Sequence, residues 1–170
     1  MKNAIVTGAS NGIGLEISKK LSENNYYVGM IDIDKENLLK ESENISNSVA
    51  IEGDVTNEDS IKNALDTFNK TPDLIVNNAG IVIFGGLEEQ TIEDFKKSVN
   101  VSLIGSYLVS RLAIDSMIKK GSGCIINMSS INGVHPGPGT GGYPPAKAGI
   151  VSLTQQMSIE WGPYGIRTNS

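Results

Sequence analysis

A tyrosine and a lysine stand four residues apart in the chain, at Tyr143 and Lys147. Side chains at positions i and i+4 of a helix lie on the same face, so the phenol and the ammonium are predicted to lie close together. A fixed positive charge near a phenol favours the phenolate, which would let Tyr143 exchange a proton with a substrate near neutral pH. The pair alone is weak evidence, because many such pairs occur on helix surfaces.

A second candidate site is the glycine-rich segment at positions 8–14, which follows a short apolar run and precedes an amphipathic pattern. Glycine permits a tight turn and a close approach of the backbone to a ligand. The first turn of the following helix offers unpaired N–H groups to a pyrophosphate. The segment therefore predicts a dinucleotide site, with contacts from Gly8, Ser10, Asn11, Gly12, Ile13 and Gly14.

Asp32 ends the second predicted strand, at about the 20-residue offset from the glycine loop where a carboxylate binds the ribose hydroxyls of NAD. A carboxylate there would repel the 2′-phosphate of NADP. No Lys or Arg lies within the loop or directly after Asp32. We therefore predict NAD, with NADP disfavoured and with Asp34 as an alternative to Asp32. Asp54 and the amide of Val55, after the third strand, are predicted to contact the adenine.

Composition limits the possible functions. The chain has 170 residues, 39% of them hydrophobic, and a net charge of −5, which predicts one folded domain and argues against nucleic acid and against an anionic membrane surface. No apolar run approaches the ~20 residues of a membrane span. The N-terminus leaves no room for a signal peptide, and a single cysteine excludes an internal disulfide, so we expect a cytoplasmic protein. No metal site is predicted.

Short apolar runs alternate with longer amphipathic stretches along the chain. This alternation predicts a Rossmann-type α/β fold, a doubly wound parallel sheet with helices on both faces. The predicted strands are 4–7, 27–31, 49–51, 74–77, 124–128 and 166–169, and the predicted helices are 13–24, 35–44, 57–69, 91–120 and 143–161. The Gly- and Pro-rich stretch 133–142 is predicted to be a loop that forms a mobile wall of the site.

Several motifs occur together and in order: the segment from Thr7 to Gly14, Asn77-Asn78-Ala79-Gly80, Asn100, Ser129-Ser130 and Tyr143-x-x-x-Lys147. Together they resemble the short-chain dehydrogenase/reductase family in its single-domain form, over the whole length of the chain. The resemblance implies an NAD(P)-dependent oxidoreductase that interconverts a small-molecule alcohol and a carbonyl compound. It also implies a homodimer or homotetramer, assembled through the helices that follow the fourth and fifth strands.

The resemblance assigns roles to individual residues. Tyr143 is the expected acid and base, Lys147 its activator and a ligand of the nicotinamide ribose, and Ser130 the group that holds the reacting carbonyl. Asn100 is expected to hold a water for proton relay, and Ser129 to point away from the site. The cofactor cleft is expected to be lined by Asn78, Ala79 and Gly80.

Two departures from the family pattern affect these expectations. Pro144 and Pro145 lie inside the Tyr-x-x-x-Lys motif, and a residue before proline is pushed away from helical geometry, so Tyr143 is expected outside the helix. Compared with family members, the sequence is expected to lack the last strand and the substrate lid, as a partial sequence or as a truncated relative. The sixth strand would then be an exposed edge, with apolar surface left uncovered.

Two other functions remain open. The first is a truncated dinucleotide-binding protein with weak or no activity, which the missing lid and the two prolines favour. The second is an epimerase or dehydratase of the larger relatives. Their glycine loops usually read G-x-x-G-x-x-G, and the spacing of Gly8, Gly12 and Gly14 speaks against that alternative.

Overall fold

The computed structural model describes residues 1–170 and contains one sheet of six strands in the order β3-β2-β1-β4-β5-β6. All neighbouring strands pair in parallel. The predicted α/β fold is therefore confirmed. Because the strand order reverses between β1 and β4, the carboxyl ends of these strands open a crevice. The strands are β1 Lys2–Thr7, β2 Tyr26–Asp32, β3 Ser48–Glu52, β4 Leu74–Asn77, β5 Gly123–Asn127 and β6 Ile166–Asn169.

Six α-helices connect or follow the strands, and polar caps fix several of their ends. Thr91 and Asp94 form a reciprocal capping box at the start of α4, which satisfies amide groups that the helix cannot pair internally. The Asn57 side chain accepts a hydrogen bond from the Ser60 amide at the start of α3. The helices are α1 Gly12–Glu23, α2 Lys35–Ser42, α3 Glu58–Phe68, α4 Ile92–Val99, α5 Gly105–Lys120 and α6 Tyr143–Trp161.

The long helix predicted at 91–120 is not continuous. A π-helical turn, Asn100–Ile104, separates α4 from α5. Such a turn holds an additional residue, so it changes which side chains face the neighbouring element. By length and composition alone, the stretch Ile92–Lys120 is apolar enough to cross a membrane. This differs from the expectation that no apolar run approaches the length of a membrane span. In the structure its apolar residues Val109, Ala113 and Met117 are buried in the core.

The two faces of the sheet are covered unequally. One face packs along its whole width against α3, α5 and α6, while α1 and α2 cover only the β1–β3 half of the other face. On β5, Ile125 and Asn127 are fully buried towards α5 and α6, whereas Cys124 and Ile126 on the opposite side are only half-buried. We call these two residues the open face. Strand β6 lies at the edge of the sheet, as expected.

A buried chain of polar side chains links β4, β5, α5 and α6. The Asn77 carboxamide donates to Ser110 Oγ and to Asn127 Oδ1, both at 2.8 Å. The Asn127 carboxamide in turn donates to Thr154 Oγ1 at 3.0 Å. Buried amides without partners are costly, so these bonds fix α6 at one position on the sheet. Helix α6 carries Tyr143 and Lys147, so this position also sets where both side chains lie.

Candidate active site

A cavity of about 610 Å³ lies at the carboxyl ends of the central strands. Of the residues predicted to bind cofactor, Ser10, Gly12 and Gly14 do not line this cavity. Sequence reasoning missed Ile33, Lys97 and Val101, which do. The predicted residues that line it are Gly8, Asn11, Ile13, Asp32, Asp54, Val55, Asn78, Ala79, Gly80, Tyr143 and Lys147.

Two glycines of the loop, Gly8 and Gly14, are packed so tightly that a β-carbon would collide with neighbouring backbone. Gly8 has a φ of +64°, and a β-carbon there would lie 2.9 Å from the Ala79 Cα. A β-carbon at Gly14 would overlap the Gly8 carbonyl oxygen. Gly14 therefore allows the close approach of the Gly8 carbonyl that the turn requires, although Gly14 does not line the cavity. The close packing brings the start of α1 to the cavity, where its first amides can face an anion.

The Asp32 carboxylate is held in place by backbone amides. Its Oδ2 accepts from the Ser10 amide at 2.9 Å, and its Oδ1 accepts from the Asp34 amide at 3.0 Å. The Ser10 amide is therefore occupied by Asp32, and Ser10 itself is buried. Asp34, the alternative ligand, instead caps α2 by accepting from the Asn37 amide. Of the two acids, only Asp32 lines the cavity.

The loop after β4 is fastened to the glycine loop by Asn78. Its carboxamide donates to the carbonyl oxygens of Thr7 and Gly8, each at 3.1 Å. The amides of Asn78 and Ala79 both donate to the Thr7 hydroxyl at 3.1 Å. These four bonds join the two walls of the crevice, so Asn78 acts here as a structural tie as well as a lining residue.

On the opposite wall, Asp54 and Val55 lie where adenine contacts were predicted. The Asp54 carboxylate already accepts from the amide and hydroxyl of Thr56, at 2.8 and 2.7 Å. Its second oxygen has no partner among the hydrogen bonds of the chain, and neither has the Val55 amide. Ile33, beside them in the cavity wall, is 68% exposed. This corner therefore offers one acceptor, one donor and an apolar surface.

Tyr143 is the first residue of α6, and Pro144 and Pro145 occupy the next two positions. The expectation that the prolines would place Tyr143 outside the helix was wrong. Proline is tolerated in the first helical turn because amides there have no intrahelical partner. The Lys147 ammonium consequently lies over the Tyr143 ring, 5.5 Å from its centre.

Lys147 is only 4% exposed. Its ammonium donates to the Met128 carbonyl oxygen at 2.5 Å and makes no ion pair with a carboxylate. Burial away from water lowers the pKa of Lys147 to about 8, because desolvation disfavours the charged form. The charge near Tyr143 can therefore change within the physiological pH range.

The two serines after β5 lie differently from what the alternation of strand residues predicted. Ser129, expected to point away, contributes to the cavity wall, and its hydroxyl donates to the Lys147 carbonyl oxygen at 2.9 Å. Ser130 does not line the cavity. Its Oγ accepts from the Asn132 amide at 3.2 Å at the start of the short 3₁₀ turn Ile131–Gly133, and its hydroxyl donates no hydrogen bond within the chain.

Asn100 does not reach this site. It is exposed at the first position of the π turn and does not line the cavity. Ser102, two residues later, is fully buried, and its hydroxyl has no hydrogen-bond partner. A β-carbon built on Gly80 would lie 3.3 Å from Lys147 Nζ and 3.4 Å from Ser102 Oγ. Ser102 and Lys147 thus border the same small space, although Ser102, like Asn100, does not line the cavity itself.

A signal for Ser102 was present in the sequence. Serines recur at every fourth position, 98, 102, 106 and 110, and all four are buried. This spacing marks one face of a helix. Ser106 donates to the Ser102 carbonyl oxygen, and Ser110 belongs to the Asn77 chain of hydrogen bonds.

Comparison with known proteins agrees with this geometry. The family model described as short chain dehydrogenase matches residues 2–170. A 3-oxoacyl-(acyl-carrier-protein) reductase of Chlamydia trachomatis is 38% identical, over 99% of this chain and 71% of the relative. An NAD-dependent glycerol dehydrogenase of Listeria innocua is 33% identical, over 99% of this chain and 68% of the relative.

Among solved structures, the crystal structure of gox2181 superposes with a TM-score of 0.94 at 28% identity, covering 99% of this chain and 69% of that one. The match thus extends over the glycine loop, the π turn and the start of α6. Sequence, fold and site agree, and the chain belongs to the short-chain dehydrogenase family of oxidoreductases.

Proposed function

We propose that this protein is an NAD(H)-dependent oxidoreductase that interconverts an alcohol and a carbonyl compound, with Tyr143 as general acid and base. One observation carries the proposal: the Tyr143 ring and the buried Lys147 ammonium meet at one end of a cavity that also contains Asp32. An acid–base pair and a ribose-binding carboxylate in one cavity fit a redox reaction on a bound dinucleotide.

The residues present fit a dinucleotide. The glycine loop and the first amides of α1 would hold the pyrophosphate, in a turn whose close packing a β-carbon at Gly8 or Gly14 would disrupt. Asp32 would accept from the adenine ribose hydroxyls, and Asp54 with Val55 would border the adenine. The nicotinamide supplies or accepts the hydride when the cofactor is bound.

The protein's own residues would move the proton. During reduction Tyr143 would donate its phenolic proton to the substrate oxygen, and during oxidation it would take that proton back. Ser130 would hold the same oxygen through its free hydroxyl proton. The Lys147 ammonium would stabilise the phenolate, and Ser102 would take the relay role first assigned to Asn100, through a water beside Gly80.

NAD is favoured over NADP by the charge at the ribose end of the cavity. Asp32 is fixed by two amides, and the side chain that follows it, Ile33, is apolar and exposed. A 2′-phosphate would meet a carboxylate there, and no Lys or Arg lies in the glycine loop or directly after Asp32 to offset it. The printed name of the glycerol dehydrogenase relative points the same way.

The substrate is proposed only as a small alcohol or its carbonyl partner. The relatives' names cover a polyol in one case and an acyl thioester of a carrier protein in the other. A panel of glycerol with dihydroxyacetone, glucose and an acetoacetyl thioester, each tested with NAD(H) and NADP(H), would separate these classes.

The central experiment pairs NADH binding with turnover on that panel. Wild-type protein should enhance NADH fluorescence and turn over at least one substrate, and Tyr143→Phe should keep NADH binding but lose about 10²–10⁴-fold in turnover. The exposed Tyr164 offers a matched control, and Tyr164→Phe should behave as wild type. Binding without turnover on any substrate would instead favour the dinucleotide-binding alternative.

We also propose a homo-oligomer located in the cytoplasm. Apolar side chains on α5 and α6 are exposed, including Tyr107 at 45% and Ile159 at 71%, and such surface is commonly covered by a second subunit. Light scattering after size-exclusion chromatography would test this, and a monomer at micromolar concentration would contradict it.

A further inference from the structure

Tyr143 begins its helix immediately after two buried or half-buried glycines, and something outside the helix must fix where α6 starts. Gly142 is buried and lacks a side chain that could cap the helix. A buried amide without a partner is costly. The amide of Gly142 donates to Gln90 Oε1 at 3.0 Å, across 52 residues of sequence.

Gln90 is held on its other side as well. Its Nε2 donates to the Ile83 carbonyl oxygen at 2.6 Å, and its own amide donates to the Gly86 carbonyl oxygen at 3.0 Å. The capping box of α4 begins at the next residue, Thr91. The carboxamide of Gln90 therefore has little freedom to follow Gly142 if that residue moves.

The two glycines before Tyr143 pack closely against Gln90 and against the start of α4. Gly141 has a φ of +45°, and a β-carbon there would overlap the Gln90 carboxamide. A β-carbon at Gly142 would lie 3.1 Å from the backbone of Phe95. The positive φ favours glycine at position 141, and the contact at Gly142 is tight, so the chain before Tyr143 passes closely between Gln90 and α4.

The loops on both sides of this contact are joined at one other point. Gly85 forms a bridge with Thr140, and its amide donates to the Gly139 carbonyl oxygen at 3.0 Å. That bridge ends three residues before Tyr143, and Gln90 supplies the contact nearest to the tyrosine.

We propose that Gln90 is a positioning residue for Tyr143. By accepting from the buried Gly142 amide, Gln90 fixes the first turn of α6 and so keeps the phenol under the Lys147 ammonium. This inference rests on the proposed function of Tyr143 and adds to it a residue that touches neither cofactor nor substrate.

The test compares Gln90→Met with a matched loop variant, Thr140→Val. Methionine keeps the length of the side chain but removes both hydrogen bonds. Thr140→Val removes a bond within the same loop, from its hydroxyl to the Gly137 carbonyl oxygen, and leaves the Gly142 contact intact. We expect Gln90→Met to lower kcat by about 10–100-fold, the effect of a small displacement of a catalytic group, with unchanged NADH affinity. Thr140→Val should keep the wild-type kcat.

Two readouts do not depend on turnover. Amide hydrogen exchange in the segment 142–147 should accelerate in Gln90→Met and not in Thr140→Val. The absorbance of the Tyr143 phenolate, measured as wild type minus Tyr143→Phe, should appear at a different pH in the Gln90→Met background. Wild-type exchange and an unchanged phenolate titration in Gln90→Met would overturn the proposal.

The outcomes also separate this inference from the proposed function. If Tyr143→Phe abolishes turnover while Gln90→Met keeps the wild-type kcat, the role of Gln90 is refuted and that of Tyr143 stands. If Tyr143→Phe keeps full turnover, the proposed function fails, and the exchange and absorbance measurements still decide whether Gln90 fixes the start of α6.

Discussion

The two halves of the sheet are held together by different kinds of contact. The β1–β3 half, with α1 and α2, has an apolar interior built around Val6, Val28 and Met30, and its polar contacts are mostly to nearby backbone. The β4–β6 half contains side-chain bonds between distant residues, such as those of Asn127 with Asn77 and Thr154. The first half presents backbone to a cofactor, while the second must hold particular side chains in place for chemistry.

This contrast predicts that substitutions in the β4–β6 half lower turnover, whereas those in the β1–β3 half lower cofactor affinity and leave the Tyr143–Lys147 pair in place. The four predictions below test the contrast, ordered from the largest expected effect to the smallest.

Lys147→Met should lower the turnover rate by about 10²–10⁴-fold, because the charge next to Tyr143 is lost. It should also stabilise the protein at pH 7. The folded pKa of Lys147 is about 8 against 10.5 for the free side chain, which opposes folding by on the order of 3 kcal/mol. The unpaired Met128 carbonyl offsets about 1 kcal/mol of that gain. Urea unfolding of both proteins would measure the difference.

The size of the stabilisation by Lys147→Met depends on pH. Below pH 8 both folded and unfolded wild type carry the Lys147 proton, and the cost of burying the charge is fully present. Between the folded pKa of about 8 and the unfolded value of 10.5 only the unfolded chain holds the proton, so wild-type stability rises with pH. The advantage of Lys147→Met should disappear above this range, and an advantage independent of pH would contradict the buried charge. Activity that needs the ammonium should decline as pH rises above 8.

Asn127→Leu should destabilise the protein by about 2–3 kcal/mol, because it breaks a buried network and leaves its partners with fewer bonds. Turnover should fall as well, since α6 loses its tie to β5. The exposed Asn63 on α3 is the control, and Asn63→Leu should change stability by less than about 0.5 kcal/mol. Equal effects of the two substitutions in thermal unfolding would show that the buried network around Asn127 does not contribute to stability.

Gly14→Ala should lower the free energy of unfolding by about 1–3 kcal/mol, because the added carbon overlaps the Gly8 carbonyl and the loop must shift. NADH affinity should fall while the Tyr143–Lys147 geometry is retained. Gly162 has ordinary helical φ and open space around its Cα, so Gly162→Ala is the matched control. NADH titration followed by fluorescence measures both variants, and wild-type affinity in Gly14→Ala would refute the assignment of the loop.

Asp32→Ala should weaken NADH binding by roughly tenfold, the equivalent of losing a charge-assisted hydrogen bond. Affinity for NADPH should fall less or improve, because the carboxylate that repels the 2′-phosphate is gone. Asp34→Asn keeps the α2 cap and tests the alternative acid. If Asp34→Asn shifts cofactor preference and Asp32→Ala does not, the two residues were assigned in the wrong order.

The sequence was sufficient for the six strands and for the edge of the sheet at which the cavity lies, and the reason is locality. The glycine loop, Asp32 and Asn78 each follow directly on a strand, so their placement at the carboxyl edge follows from strand–helix alternation. Tyr143 and Lys147 are likewise neighbours on one helix. The expectation drawn from the two prolines was wrong because the effect of proline depends on its position in a helix. Here Tyr143 is the first residue of α6, and both prolines lie in the first turn.

What remained hidden depends on contacts between distant segments. Asn100 and Ser102 are two residues apart, so a helix places them on different sides, and a π turn is not visible in the pattern of residue types. Gln90 gains its importance from Gly142, far along the chain. Neither the turn nor the contact leaves a local sequence signal, and both lie in the half that carries the chemistry.

The open face on β5 has a practical consequence. Cys124 is the single cysteine of the chain and lies half-buried there, with a free thiol. A thiol reagent therefore labels one known place, and its rate reports how far that side of the sheet is shielded in a given preparation. The same residue, which does not line the cavity, gives a unique attachment point for a fluorescent or spin label through which folding and assembly can be followed without adding a tag.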